Sequence, residues 1–439
     1  MVPPSSEENA LEKATMRRIT VRVVPFLMVC YFIAFVDRVN AGFAALQMNK
    51  DVGLSAAVFG LGGGIFFVSY FIFEVPSNLA LEKVGARLWI ARIMITWGVI
   101  SGCMAFVVGP TSFLVLRFLL GAAEAGFFPG VILYLTYWFP AEYRARIVAV
   151  FMVAIPASSF LGSPISASLL EMEGILGLHG WQWMFILEGL PAVILGLVTL
   201  VVLQNRPVEA RWLAPAQRAW LLQRLERERT RARPVGHDIS LWQVLFNKHV
   251  LAASLIYAGS SGASACLSIW QPQIIQSFGM SNIQTGLLNS IPFGVASVIM
   301  VVWGRRSDRT GERVWHTALP LAITALSLGS VWLTDALIPT IIILCLAVSG
   351  TYAIKGPFWA LSTGWLSTST AAAGIAQINA IGNLGGFVGT YLLGVIKQAT
   401  GSYALGLLPL VVLTAIGTIL VLLLGRGERR LIEANKARA

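Results

Sequence analysis

Twelve stretches of this chain are apolar over enough residues to cross a bilayer as helices, and that pattern constrains the fold more than any other feature. They fall at about 17–45, 55–81, 88–108, 111–138, 145–170 and 183–204, then at about 246–278, 284–303, 315–333, 337–366, 370–398 and 403–424. Roughly 20 apolar residues span the hydrocarbon layer, and with no water there to satisfy the backbone each run must be helical. Composition agrees: 56% hydrophobic and 12% charged residues cannot coat a soluble protein of 439 residues. The chain reads as an all-α membrane protein with twelve transmembrane helices in two groups of six. The first apolar run follows Arg17-Arg18 and is too long for the core of a cleaved signal peptide, so it is expected to remain as the first span.

The segments between runs divide the chain. Residues 1–15 are polar and read as a flexible tail, 16–204 as a first six-helix bundle, 205–240 as a linker, 241–425 as a second bundle and 426–439 as a second tail. Within the linker, Leu213 to Arg233 alternates leucine and tryptophan with charge, as an amphipathic surface helix does. An even number of spans puts both termini on one side. Nearly all of the 32 lysines and arginines lie in segments on that side, whereas the opposite loops hold only Lys50 and Lys397. By the positive-inside rule both termini and the linker are expected to be cytoplasmic. The net charge of +11 is thus a record of orientation rather than a nucleic-acid surface. Cys30, Cys103, Cys266 and Cys345 stand singly in apolar runs, without metal-site or redox spacing, and no metal or cofactor is expected.

Seven ionisable groups fall inside the runs: Asp37 and Arg38, Glu74, Arg117 and Glu124, Glu188, and Lys355. A charge at membrane depth costs at least ~2.5 to 3.5 kcal/mol and by default marks function, the alternative being a structural ion pair between helices. Arg117 and Glu124 are two helical turns apart and share one face, roughly 10 Å apart along the axis. From the expected outer ends of spans one and four, Asp37 lies ~15 Å, Arg117 ~9 Å and Glu124 ~20 Å deep, so the three are within reach if those spans are neighbours. Asp37 is expected to face span four and pair with Arg117, and Arg38, about 100° round the helix, to face a cavity. Three cations on one cavity imply an anionic, carboxylate-bearing substrate. The carboxylates Asp37 and Glu124 then need a second role, because fixed negative charge repels an anion, and proton carriage supplies it. Glu74 and Glu188, toward the span ends, read more readily as structural.

Two loops echo one another. Leu81-Glu82-Lys83-Val84-Gly85-Ala86-Arg87 follows span two, and Ser307-Asp308-Arg309-Thr310-Gly311-Glu312-Arg313 follows span eight. The fuller second copy, from Gly304, resembles the signature loop of the major facilitator superfamily, a fold of two six-helix bundles, and assigns gating to Asp308, Arg309, Gly311 and Arg313. Glycines at 60, 62, 63 and 64 and at 382, 385, 386 and 389 read as close-packing positions within spans.

A narrower resemblance follows. Phe35-Val36-Asp37-Arg38-Val39-Asn40, Arg117 with Gly121 to Pro129, Trp181 to Gly189, and Gly382-Asn383-Leu384-Gly385-Gly386 are similar over nearly all spans to the anion:cation symporter family. That family includes importers of sugar acids, tartrate, phthalate and hydroxyphenylacetate. The resemblance implies proton coupling through Asp37 and Glu124, and substrate contact through Arg38 and Arg117, with Tyr70 and Asn383 at matching positions. The run Lys355-Gly356-Pro357-Phe358-Trp359 resembles the tartrate and aromatic-acid branch, and Ile155 stands where sugar-acid carriers have a polar contact. With Asn379 and Trp359 beside these, the expectation is a proton-coupled importer of a hydroxy-dicarboxylate or aromatic carboxylate, monomeric, in a bacterial inner membrane. An exchanger or facilitator without proton coupling is the alternative. An intramembrane enzyme lacks a nucleophile or metal cluster, and a channel does not need two echoing halves.

Overall fold

A computed structural model of the chain describes residues 6–231, 246–365 and 371–436. Twelve helical segments are long and apolar enough to cross a membrane. In the first half they are built from α1 (Ser6–Asp51), α2 (Ala56–Val84), α3 (Ala86–Cys103), α4 (Pro110–Glu124) with α5 (Phe127–Trp138), α6 (Ala141–Met152) with α7 (Ala154–Leu169), and α8 (Gly180–Val202). A linker helix, α9 (Pro215–Arg231), follows. The second half comprises α10 (Lys248–Gln276), α11 (Asn282–Thr310), α12 (Val314–Ser330), α13 (Leu337–Ala353) with α14 (Lys355–Trp365), α15 (Ala371–Thr400) and α16 (Tyr403–Lys436).

Three departures from the sequence pattern have local causes. Residues 6–15 of the expected tail are helical and continue α1, with Glu7 and Glu8 in the first turn where the helix dipole favours negative charge. Glu12 there accepts a hydrogen bond from the Tyr143 hydroxyl at 2.7 Å. Span four is two helices rather than one: Ala125 is extended and Gly126 takes a left-handed φ of 85°, open to glycine at little cost. Span ten also divides, after Ala353. Pro357 cannot donate to the Ala353 carbonyl, so the ladder lapses at that turn. The linker helix docks on the first half, where Arg224 pairs with Glu142 and Arg144 with Glu228, and Trp212 stacks on Trp138. Residues 232–240 of the linker and 1–5 and 437–439 of the tails lie outside the described residues.

The halves meet through α1 against α10, α2 against α15 and α7 against α11. These contacts concentrate at the end that carries the α1–α2 loop. At Gly60, a Cβ would lie 2.9 Å from the Thr390 carbonyl oxygen, so glycine there is what lets α2 and α15 touch. Hydrogen bonds from Ala57 N to Gln398 (3.0 Å), Asn282 to Glu171 (3.1 Å) and Asn289 to Ser163 (2.8 Å) cross between the halves in the same region.

Candidate functional site

Between the halves lies a cavity of about 130 Å³ lined by residues of both. Arg38 reaches it from α1 and forms a salt bridge with Glu124 of α4. Its guanidinium also lies over three rings, at 4.7 Å from the centre of Phe35, 5.2 Å from Phe66 and 5.5 Å from Tyr70. Aromatic faces of this kind compensate a partly desolvated cation without neutralising it. Glu124 is the last residue of α4, where the carbonyl end of the helix disfavours a carboxylate. Arg38 offsets that cost, and a proton would offset it equally.

Lys355 enters from the second half with the opposite frustration. It opens α14, where the amide end of a helix disfavours a cation. No salt bridge to it is found among the described residues, and its ammonium rests 4.2 Å from the Tyr352 ring centre. An anion placed between Arg38 and Lys355 would satisfy the lysine and the helix end together. Tyr70, Trp359, Asn379 and Asn383 also line the cavity, and Asn379 donates to Glu74 at 2.9 Å across the halves. Trp359 packs on Tyr257, with ring centres 5.1 Å apart.

Two expected partners are not brought together. Asp37 is buried and accepts from Ser101 of α3 and, at 2.9 Å, from Asn40 one turn on. No Asp37–Arg117 ion pair forms among the described residues, and neither residue lines the cavity. Arg117 is fully buried and donates through Nε to the carbonyl of Gly62 at 3.1 Å, while its two terminal nitrogens have no hydrogen-bond partner. Both Arg38 and Arg117 contact the ring of Phe66, which stands beside the cavity wall. The partners were exchanged because Arg38 turns toward the end of α4, where the chain breaks, and Asp37 turns toward α3.

The loop after α11 folds on itself. Arg313 pairs with Asp308 at 2.8 Å and donates to Ser307 at 2.8 Å, Gly311 takes a left-handed φ of 67°, and Glu312 accepts from the amides of Trp315 and His316 to cap α12. Arg309 is exposed at the end of α11.

Sequence reasoning missed a row of hydroxyls. Ser260, Ser264 and Ser268 recur at helical spacing on α10, with Ser261 beside them, and all four line the cavity. The i, i+4, i+8 period was the available signal; it was masked because serine within an apolar helix reads equally as close packing.

Twelve spans in two bundles around a cavity with charge from both halves define a membrane transporter, not an enzyme. The chain belongs to the Major Facilitator Superfamily, whose model matches residues 27–390. It is 52% identical to a putative tartrate transporter of Agrobacterium vitis over 98% of this chain and 95% of that one. It is 41% identical to a quinolone resistance transporter of Acinetobacter baumannii over 93% and 94% respectively. A bacterial homologue of the lysosomal transporter Spinster shares the fold with a TM-score of 0.76, at 17% identity over 92% of this chain and 96% of that one.

Proposed function

We propose that the protein imports a small organic anion, a hydroxy-dicarboxylate such as tartrate or an aromatic carboxylate, in symport with protons. The observation that carries this is the pair of cations from opposite halves facing one cavity, Arg38 held by a carboxylate and Lys355 with no carboxylate partner among the described residues. An anion bound between them draws the halves together, which is the attraction an alternating-access cycle needs at its occluded step. When the substrate carboxylate takes Arg38, Glu124 loses its counter-charge at the wrong end of a helix, and protonation of Glu124 relieves the penalty. Proton and anion then occupy the site together because each removes the other's obstacle. The 52% identity to a protein named a putative tartrate transporter supports the substrate class.

With the basic segments on the cytoplasmic side, the end sealed by α1–α10, α2–α15 and α7–α11 contacts faces outward. The described conformation is then the one closed to the outside. Proteoliposomes test the reading. A pH gradient, acid outside, should drive tartrate accumulation in the wild type. Glu124→Gln should abolish that accumulation and leave tartrate counterflow measurable. Accumulation by the variant equal to the wild type would remove Glu124 from coupling, and wild-type uptake indifferent to the gradient would favour an exchanger or facilitator.

A further inference from the structure

A second buried carboxyl network lies behind the cavity, on the side of α1 away from Lys355. Glu188 of α8 is 5% exposed and its Oε1 accepts from Ser166 of α7 at 2.6 Å. Its Oε2 is buried with no hydrogen-bond partner. Asn40 of α1 approaches Glu188 while donating its amide to Asp37, and the Asn40 Oδ1 is likewise buried and unpartnered. A buried carboxylate oxygen without a donor is a costly arrangement for an ionised Glu188. A proton on Oε2 would turn Glu188 into a donor and remove the deficit.

The groups also form an ordered series in depth. Counting helical rise from the end with the α1–α2 loop, Ser166 lies ~5 Å, Glu188 ~12 Å, and Asp37 and Glu124 both ~21 Å from their helix ends. The charged groups facing Glu188 are few: α1 presents Asp37, whose charge acts on it directly, α7 presents only the Ser166 hydroxyl, and the arginines of α3 (Arg87 and Arg92) sit at its opposite end. No cation fixes Glu188 as an ion pair among the described residues.

We propose that Glu188 is a third proton-carrying carboxyl, which passes protons between the outer end of the first half and Asp37. The inference rests on the proton-symport reading above. In the step, the proton leaves Glu188 Oε2 and arrives on the Asp37 carboxylate; Glu188 becomes the anion, Asp37 the neutral acid, and the net charge of the pair is unchanged. Asn40 stands between the two groups, with its amide donating to Asp37 at 2.9 Å. Two buried carboxyls of like charge on adjoining helices favour a shared proton over double ionisation.

The test uses the full chain in proteoliposomes with a pH dye inside, tartrate as the probe, and Glu188→Gln and Glu188→Asp. Wild type should acidify the lumen as tartrate enters. Glu188→Gln should lose gradient-driven uptake by roughly tenfold or more while counterflow stays within about twofold, a loss of coupling without loss of the translocation path. Glu188→Asp should recover part of the gradient-driven rate. Tartrate entry without lumen acidification in the wild type would sink the symport reading itself. Wild-type acidification retained in full by Glu188→Gln would leave that reading intact and overturn the role of Glu188. If Glu188→Gln does not fold, the wild type decides: an apolar carbodiimide, which reacts with protonated carboxyls, should label Glu188 more at pH 5 than at pH 8. Absence of labelling at Glu188 at both, alongside labelling of Glu124, would also overturn the proposal.

Discussion

The two halves share a fold and divide its chemistry unequally. The first half buries Asp37, Arg117, Glu124 and Glu188 and half-buries Arg38, whereas the second brings one cation, Lys355, with hydroxyls and amides around it. Within the membrane a carboxylate can be neutralised by a proton and an arginine cannot, so the half with both types is the one able to store and release protons. The half with a single cation and many neutral donors is suited to reading a substrate. The difference teaches that pseudo-symmetric bundles need not carry symmetric roles. Two of the charged spans are broken at their charge: span four ends a helix at Glu124 and span ten begins one at Lys355, so each of these charges is placed at the helix end that opposes it.

The largest expected effect breaks the comparison at its centre. Arg38→Ala removes the cation of the first half, strands Glu124 and opens the Phe35–Phe66–Tyr70 face. Breaking a buried pair by deleting one partner costs about 3 to 5 kcal/mol, somewhat less here because Arg38 is partly exposed. Tartrate transport should fall to background, and Glu124→Gln in the same chain should recover much of the melting temperature without recovering transport. A double variant no more stable than Arg38→Ala would show that the pair does not hold α1 to α4.

Lys355→Ala should have a smaller and more selective effect. A charge-assisted hydrogen bond is worth about 1.5 to 3 kcal/mol, so the Kd for carboxylates should rise roughly tenfold to hundredfold. Stability should be unchanged or slightly raised, because the lysine sits unpaired at a helix N-terminus. Isothermal titration in detergent and a melting curve separate the two readouts. An unchanged Kd would return substrate recognition to the first half alone.

What the sequence made legible follows from what periodicity encodes. The twelve spans and the residues facing the cavity, Arg38, Tyr70, Lys355, Trp359, Asn379 and Asn383, could be read from length, charge and resemblance. The pairing could not. Asp37 and Arg38 are adjacent, and which of them turns to α4 depends on the rotation of a helix that is apolar nearly all round, so no moment in the sequence fixes it. Depth counting also assumed one straight helix through span four, whereas Gly126 followed by Pro129 turns the chain just past Glu124. The same combination of glycine and proline was the signal available to predict the break. Glu188 read as structural because it lies toward the outer end of its span, and its nearness to Asn40 and Asp37 comes from another helix, which sequence spacing does not show.

The smallest effect sharpens the contrast between buried and exposed charge. At the start of α8, Glu173 accepts from the Gly180 amide and from His179, both at 2.7 Å, in the open loop before the helix. The Gly180 bond, with the histidine beside it, holds the Glu173 carboxyl below its ordinary value of 4.5. The bond to Glu173 in turn raises His179 above 6.5. For Glu173 the depressed value means stabilisation present above 4.5 and lost as pH falls through the folded value. For His179 the raised value means stabilisation present below 6.5 and lost as pH rises through the folded value. The pair therefore contributes most between those limits and fades on both sides. Both side chains are about half exposed, so solvent and salt screen the interaction to a few tenths of a kcal/mol at most. His179→Gln should lower the melting temperature by about 1 °C or less near pH 5.5, with no difference from wild type near pH 8.5. One molar salt should erase the difference at pH 5.5, although it should leave the Arg38→Ala defect in place, because the buried Glu124 is screened far less than a surface charge. A salt-insensitive His179 effect would mean that the ring acts through its stacking on Trp181 rather than through its charge.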